Sequence, residues 1–323
     1  MEKTATFTTD ARNKKGHLPF LVEIVVRLVK EKPLGTIGGF IVLIFFAVGI
    51  FADVLAPYHY TYQDLTAILK PPSSEFLLGT DNLGRDLLSR IIYGARISMI
   101  VGLAVPTIGT TLHLLIGGVS GYFGGKIDLV IQRFVDTIMC FPGLVIMLTV
   151  VAIIGPGLIQ LILLLGILNG LGGANRVTRS AVIGIKQNVY LEAAKAIGAS
   201  DRRIMLKHVL PNIMPIVIVG FTTSMGGAIL AEATLSFLGF GIPPPYPSWG
   251  GMLSGQARRY MIKAPWLALW PGLSLALVVY GMNMFGDGLR DIIDPRLRGG
   301  LGRYGNTKAG KALKKAVEKE AGN

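Results

Sequence analysis

Six apolar stretches, each about as long as a membrane span, alternate with polar and charged segments. A helix needs about 20 residues to cross the hydrocarbon core of a bilayer, and backbone groups in lipid must be bonded within the segment itself. The pattern therefore predicts an all-α integral membrane protein with six transmembrane helices. The predicted spans are Leu34–Ala52, Ile97–Phe123, Thr137–Ile154, Leu158–Ala174, Ile213–Leu235 and Trp266–Gly286.

Only three residues separate the third predicted span from the fourth. They are Gly155, Pro156 and Gly157, and such a sequence cannot easily continue a helix. A tight turn is therefore predicted there, which divides one overlong apolar stretch into two spans.

The positive charges predict the orientation of the helices. Of the 32 Lys and Arg residues, 25 fall in the segments on the same side as the N-terminus. Because cytoplasmic loops carry the excess of Lys and Arg, both termini are predicted to be cytoplasmic. The same asymmetry explains the net charge of +13, so no nucleic acid partner is needed to account for it.

This topology divides the chain into four parts. Residues 1–33 form a cytoplasmic tail, residues 34–96 the first span with an outer loop, residues 97–290 the core of the remaining spans, and residues 291–323 a second cytoplasmic tail. The Lys-rich stretch 308–320 is expected to be a solvated tail that touches anionic headgroups.

The cytoplasmic segment 190–212 is far more polar than its flanks, and it predicts two short helices. The first runs from Tyr190 to Ile197, because the Glu192-Ala193-Ala194 sequence favours a helix. Gly198 permits the left-handed conformation that ends one.

Ser200 is predicted to cap the second helix of this segment, and Pro211 to end it. A helix–gap–helix unit with a small, flat surface suits docking into a cleft of another protein. The alternative is an amphipathic linker that lies on the bilayer. The other polar and cationic residues of segment 190–212 are Arg202, Arg203, Lys207, His208 and Asn212.

Two ionisable residues lie inside predicted spans. Glu232, near the outer end of the fifth span, either braces the outer loop through hydrogen bonds or belongs to a gate or substrate site. His113, in the second span, is predicted to be a packed polar residue rather than a ligand. No spacing of His, Cys, Asp or Glu typical of a metal site occurs in the sequence.

Two charged groups lie on the predicted outer side. Asp81, Arg85 and Asp86 lie on a loop shaped by Gly79 and Gly84, where they either brace the loop or meet a partner. A second, basic group departs from the positive-inside trend, and docking to an acidic partner is one interpretation of it; its members are Arg258, Arg259 and Lys263.

Four groups of residues in the chain form recognisable motifs. They are Gly79-Thr80-Asp81 with Gly84-Arg85-Asp86, Glu192-Ala193-Ala194 with Gly198, Glu232 to Gly241 followed by prolines 243–245 and Ser248-Trp249-Gly250, and Asp294-Pro295-Arg296. Together these motifs resemble the permeases of the dipeptide/oligopeptide (and nickel) family of ABC importers, and among them the C-type permease. The resemblance covers roughly residues 20–300.

The resemblance implies a type I ABC importer transmembrane domain in the inner membrane of a prokaryote. It implies as partners a second homologous permease, two ATPase subunits, an extracytoplasmic solute-binding protein and the lipid bilayer. ATP and Mg would be bound by the ATPase subunits, and this chain would need no cofactor. The chain itself lacks the Gly-rich phosphate loop of ATPases, which agrees with a subunit that is not an enzyme.

The resemblance also implies roles for single residues. Glu192 and Gly198 would be the core of an ATPase-coupling loop, and Ala193, Ala194 and Ala199 would let the ATPase approach closely. Arg202, Arg203, His208, Pro211 and Asn212 would complete this loop. The candidates for the translocation path or an outer gate are Glu232, Ser236 and Phe237, and those for contact with the binding protein are Asp81, Arg85, Asp86, Arg258 and Arg259.

Three other classes of protein are weaker interpretations. An ion-driven secondary transporter would need several ionisable residues at mid-membrane, and an intramembrane enzyme would need a catalytic constellation such as His-Glu-x-x-His. A membrane scaffold without a transport role is the third. Within the importer interpretation the expected substrates are di- or oligopeptides, and the alternatives are nickel, glutathione or another small solute.

Overall fold

The computed structural model describes residues 20–293, and every regular element within that range is helical. In chain order the helices are α1 (Phe20–Glu31), α2 (Pro33–Ile50), α3 (Ala52–Leu55), α4 (Leu87–Phe123), α5 (Gly125–Met139), α6 (Gly143–Ile154), α7 (Leu158–Leu171), α8 (Gly173–Lys186), α9 (Val189–Ala196), α10 (Asp201–Ile204), α11 (Leu210–Phe237), α12 (Trp249–Leu253), α13 (Gly255–Tyr260) and α14 (Trp266–Ile293).

The described residues contain four helices that are long and apolar enough to cross a membrane. They are α2, α4, the continuous stretch Asp201–Phe237 and α14. The count rises to six if each of two bent pairs, α5 with α6 and α7 with α8, forms one span. The all-helical class is thus confirmed, and six spans stay a prediction.

The second predicted span begins ten residues earlier in the structure than the apolar pattern indicated, at Leu87 instead of Ile97. Asp86 caps this helix, and its carboxylate accepts a hydrogen bond from the Ser89 amide at 2.8 Å. Ser89 and Arg90 are polar but buried, because the chain folds over this end of α4. At about 1.5 Å per residue, the 37 residues of α4 extend over about 55 Å.

The third predicted span, Thr137–Ile154, is not one helix. α5 ends at Met139, α6 begins after Pro142, and their axes differ by 83°. Proline lacks an amide hydrogen and disfavours helical geometry at the residue before it, which explains the break. The fourth predicted span is also shorter, because the chain bends by 41° between α7 and α8. The predicted turn is confirmed, with Gly155 at φ +85° between α6 and α7.

The prediction that Pro211 ends a helix is wrong. The chain stays helical from Asp201 to Phe237, through a π-helical turn at Met205–Val209 in which the Leu210 amide donates to the Met205 carbonyl. Pro211 comes after Leu210, the residue that follows this wider turn, and lies in the first turn of α11. A proline is tolerated there because its missing N–H would lack a regular helical partner in any case.

The helices α4, α11 and α14 contact one another, and α2 packs against α14 and α4. The largest apolar cluster joins them through Phe45, Ile229, Trp249 and Met282. Glycines allow close approach where α2 crosses α14: a Cβ atom on Gly38 would lie 2.6 Å from the Gly281 carbonyl oxygen. Small residues at helix crossings are typical of membrane proteins, in which packing rather than the hydrophobic effect drives helix association.

Replacing Gly38 by Ala is expected to lower the free energy of unfolding by about 1–3 kcal/mol, because the new methyl group collides with the α14 backbone. Thermal unfolding in detergent measures the effect. Gly220→Ala in α11 is the matched control, because no heavy atom lies within 4 Å of its added Cβ. The control should gain up to about 1 kcal/mol of helix propensity. Equal unfolding temperatures for both variants would contradict the close α2–α14 contact.

Candidate functional site

The two short helices predicted around Gly198 are confirmed as α9 and α10. Gly198 adopts φ +86°, and its amide donates to the Lys195 carbonyl at 2.9 Å, which closes the turn after α9. The Ser200 hydroxyl accepts a hydrogen bond from the Arg203 amide at 3.4 Å and caps α10. The 189–209 loop, as we name α9, this turn, α10 and the π-helical turn, is therefore an ordered unit.

One face of the 189–209 loop is open to its surroundings. Ile197 at the turn is 87% exposed and Val189 is 78% exposed, so both present apolar surface without a partner among the described residues. The exposed candidates of this region are Glu192, Ala193, Gly198, Arg202, Arg203, Pro211 and Asn212, and the half-buried ones are Ala194, Ala199 and His208. Such a mixed surface, with small side chains beside the Glu192 carboxylate, suits contact with another protein.

The opposite face of the 189–209 loop packs on the ends of the long helices. Leu191 and Ile204 are buried against Tyr122 of α4 and Val182 of α8. Asn212, on α11, donates to the Tyr190 hydroxyl at 3.3 Å. The loop thus contacts three helices at one end of the bundle.

Asp81, Arg85 and Asp86 form a buried group at the other end of the bundle, and we call them the Asp81 cluster. Arg85 Nε donates to Asp81 Oδ2 at 2.7 Å, and Asp81 Oδ1 accepts from the Arg85 and Leu83 amides. Arg90 lies 3.8 Å from the same carboxylate. Because all three side chains of the cluster point into the protein, the geometry favours bracing over direct contact with a partner.

Two glycines shape the chain around the Asp81 cluster. Gly79 and Gly84 adopt φ +83° and +68°, which only glycine adopts readily. A Cβ on Gly84 would lie 1.8 Å from the Asp64 carbonyl oxygen.

A separate ion pair joins α4 to α3. Arg96 donates to Asp53, and this hydrogen bond holds the pKa of Asp53 below its usual value.

Glu232 is completely buried near the end of α11 that lies farthest from the 189–209 loop. The Ser236 hydroxyl donates to Glu232 Oε1 at 2.6 Å and accepts from the Ile242 amide at 3.4 Å. A Cβ on Gly250 would lie 2.2 Å from the Ala233 carbonyl oxygen, so the segment after α11 folds tightly over its end. These contacts favour a bracing role for Glu232 and Ser236. Phe237, the third candidate for the path or an outer gate, is 41% exposed.

A polar cavity of about 660 Å³ lies at the same end of the bundle. It is lined by Asp81, Arg85, Ser236 and Arg259, so the structure brings together two groups that are distant in the sequence. Arg258 and Arg259 are exposed on α13. Neither the cavity nor this proximity follows from sequence patterns, because the contributing residues are about 150 to 180 positions apart.

A second, mainly apolar cavity of about 340 Å³ lies beside both helix breaks. Phe141 and Gly143 line it from the break between α5 and α6, and Gly172 lines it from the break between α7 and α8. Gly227 of α11 completes one wall. The sequence did not indicate this site, although Pro142 was a signal for the first break.

The remaining polar candidate inside a predicted span is His113. It is buried, and its Nδ1 lies 2.8 Å from the Thr178 hydroxyl, which joins α4 to α8. It is therefore a packed polar residue, as the sequence predicted. Within residues 20–293 no three His, Cys, Asp or Glu side chains come together in a way that could hold a metal ion. The predicted tails and the Asp294-Pro295-Arg296 motif lie largely or wholly outside the described residues.

These features define an all-helical membrane protein with a protruding loop at one end and a braced polar cavity at the other. The family described as binding-protein-dependent transport system inner membrane component matches residues 113–299, which include the 189–209 loop and Glu232. The chain belongs to this family. A second match, to the N-terminal transmembrane domain of oligopeptide transport permease C, covers residues 21–72.

Known relatives resemble nearly the whole chain. The dipeptide transport system permease protein DppC of Alkalihalophilus pseudofirmus is 40% identical over 84% of this chain and 88% of its own length. The di/tripeptide transport system permease protein DppC of Pseudomonas aeruginosa is 42% identical, over 82% and 89% respectively. The glutathione transport system permease protein GsiD of Pectobacterium atrosepticum is 38% identical, over 81% and 86%.

Asp81→Ala is expected to destabilise the protein by about 3–5 kcal/mol, because it leaves the buried Arg85 guanidinium without its partner. Asp53→Ala is the matched control: the Asp53 side chain is 67% exposed in its pair with Arg96, and solvent-exposed pairs contribute about 0–1 kcal/mol. Thermal unfolding and protease cleavage in segment 56–86 measure the difference. If the two variants lost equal stability, the Asp81 cluster would not be a buried brace.

Proposed function

We propose that this chain is one of two homologous permease subunits of an ATP-driven, binding-protein-dependent importer. It crosses the cytoplasmic membrane of a prokaryote six times, and both termini and the 189–209 loop lie in the cytoplasm. The concentration of Lys and Arg on that side supports the orientation. The four long helices and the two bent pairs support the number of spans.

The 189–209 loop is the observation that carries the proposal. It is ordered, exposed on one face and packed against α4, α8 and α11 on the other, as a part that transmits force between two bodies must be. An ATPase subunit docks on its open face, with Glu192 at the contact and the alanines allowing close approach. The two ATPase subunits of the importer bind ATP and Mg, while this chain forms half of the path and catalyses no reaction.

The remaining candidates take positions along the same path. The cavity beside the two helix breaks forms part of the passage for solute, since irregular backbone at membrane depth is tolerated where it lines a cavity. Glu232, Ser236 and the Asp81 cluster keep the outer end rigid. The exposed Arg258 and Arg259 meet the extracytoplasmic solute-binding protein.

The substrates are di- or oligopeptides. This proposal rests on relatives named as dipeptide and di/tripeptide permeases at about 40% identity over most of the chain. Glutathione is the second candidate, because a relative of almost equal identity is named a glutathione permease. Glutathione is itself a small peptide, so both candidates need a path for a polar backbone with charged ends.

Uptake by the complete importer tests the function. The two permeases, the ATPases and the binding protein are reconstituted in liposomes, and uptake of a labelled dipeptide is compared with that of glutathione. Dipeptide uptake should require ATP and this chain, and should survive collapse of ion gradients. Uptake driven by an ion gradient without ATP would point instead to a secondary transporter, and preference for glutathione would support the second candidate.

Gly198→Val is expected to lower the number of peptides transported per ATP, while the subunits still assemble. A side chain at φ +86° costs about 1–2 kcal/mol and changes the turn between α9 and α10. Gly184→Val in α8 is the control, because that glycine has open space and lies in a regular helix. Uptake and ATP hydrolysis are measured in the same vesicles. Unchanged uptake per ATP in Gly198→Val would refute the coupling role of this turn.

A further inference from the structure

Tyr122, in the last turn of α4, reaches the 189–209 loop through its hydroxyl group. The side chain is buried, and its hydroxyl donates to Asp201 Oδ1 at 2.6 Å. Asp201 is the first residue of α10, and these two residues are 79 positions apart in the sequence. The bond therefore joins the end of a spanning helix to the middle of the loop.

Two lysines hold the ring of the same tyrosine. Lys186, at the end of α8, donates to the Tyr122 carbonyl oxygen at 2.6 Å, and its Nζ lies 5.7 Å from the ring centre. Lys195, at the end of α9, places its Nζ 5.6 Å from the ring and 3.9 Å from Asp201 Oδ1. Cations at this distance are attracted to the electron-rich face of the ring. Tyr122 is thus bound by α8, α9 and α10 together.

Apolar contacts also hold the Tyr122 side chain in place. Tyr122 packs in one cluster with Leu191 of α9, Ile204 of α10 and Val182 of α8. Gly121 beside it lets α4 lie against α8, since an added Cβ would be 2.7 Å from the Arg179 carbonyl oxygen. The Tyr122 side chain therefore connects the 189–209 loop to α4, although the loop is covalently continuous only with α8 and α11.

Through α4, Tyr122 is connected to the opposite end of the bundle. α4 extends from Tyr122 at the loop end to Leu87 at the other end, where Asp86 caps it beside Arg85 and Asp81. A displacement of the loop that reaches Tyr122 is therefore carried along a single helix to the Asp81 cluster and the polar cavity.

We propose that Tyr122 is a positioning residue that makes the 189–209 loop and α4 move as one body. Through it, motion of the ATPases reaches the outer end of the path by way of α4 as well as through α11. The inference rests on the proposed function, because it assumes that the ATPases act on the 189–209 loop. The alternative is that Tyr122 only fills space in the apolar cluster.

Tyr122→Phe separates these two roles, because it keeps the ring, its packing and its attraction for the two lysines and removes only the hydroxyl. Asp201→Ala removes the acceptor, and Asp201→Asn restores an oxygen that can accept the same hydrogen bond. Tyr280→Phe is the matched control, since that tyrosine on α14 is 63% exposed. Each variant is studied in the complete reconstituted importer.

Peptide uptake and ATP hydrolysis are measured in the same vesicles, together with the amount of ATPase that copurifies. Tyr122→Phe and Asp201→Ala should each lower uptake per ATP about tenfold with unchanged assembly, because the lost hydrogen bond has a charged partner. The double variant should be no worse than the poorer single one, as expected for residues acting through one bond. Asp201→Asn should recover much of the loss, and Tyr280→Phe should match wild type.

A distance measurement tests the connection between the 189–209 loop and α4 without reference to transport. Cys140, the only cysteine, is replaced by Ser, and spin labels are attached at Ile197→Cys in the loop and Phe123→Cys at the end of α4. Ile197 is 87% exposed and Phe123 is 50% exposed, so both positions accept a label. The distance distribution should be narrow in this background and broader when Tyr122→Phe is added.

Wild-type uptake per ATP in Tyr122→Phe, or an unchanged distance distribution, would overturn the inference and leave the proposed function intact. A proportional loss of uptake, hydrolysis and assembly would also overturn it, because that result describes a residue that only packs. If the wild-type importer itself takes up no peptide with ATP, the proposed function fails, and the inference fails with it.

Discussion

Lipid offers no hydrogen-bond partner to a peptide group, and this constraint governs where the chain can leave helical geometry. Between the ends of the bundle the described chain departs from a helix at two places, between α5 and α6 and between α7 and α8, apart from the tight turn at Gly155. Both breaks line the same cavity of about 340 Å³. Peptide groups without a helical partner at these breaks thus border a cavity, where water can reach them.

Close helix packing follows from the same environment. Since lipid tails are as apolar as the side chains they would replace, helices gain by fitting closely rather than by escaping water. At Gly38 against Gly281 and at Gly121 against Arg179, an added methyl group would collide with the facing backbone. These contacts hold α2 close to α14 and α4 close to α8.

The two ends of the bundle combine polar contacts in different ways. The Asp81 cluster is enclosed, with its carboxylate saturated by backbone amides and Arg85, as a rigid brace requires. At the other end, Tyr122 and the two lysines form contacts that are partly open to solvent around Asp201. Partly exposed contacts of this kind cost less to rearrange than a buried ion pair. Around Asp201 these contacts therefore cost less to rearrange than the ion pair of the Asp81 cluster.

Local patterns determined the helical class, the turn at Gly155, the Gly198 break and the Ser200 cap, because each depends on a few neighbouring residues and on the length of an apolar stretch. The same patterns predicted the start of α4 at Ile97, because hydropathy cannot show that Arg90 is buried. They also predicted that a helix ends at Pro211, because they cannot show that a π-helical turn accommodates a proline. Only the tertiary structure joined Tyr122 to Asp201 and brought Asp81 and Arg259 to one cavity. Those groups are far apart in the chain, and their proximity is decided by how the helices pack.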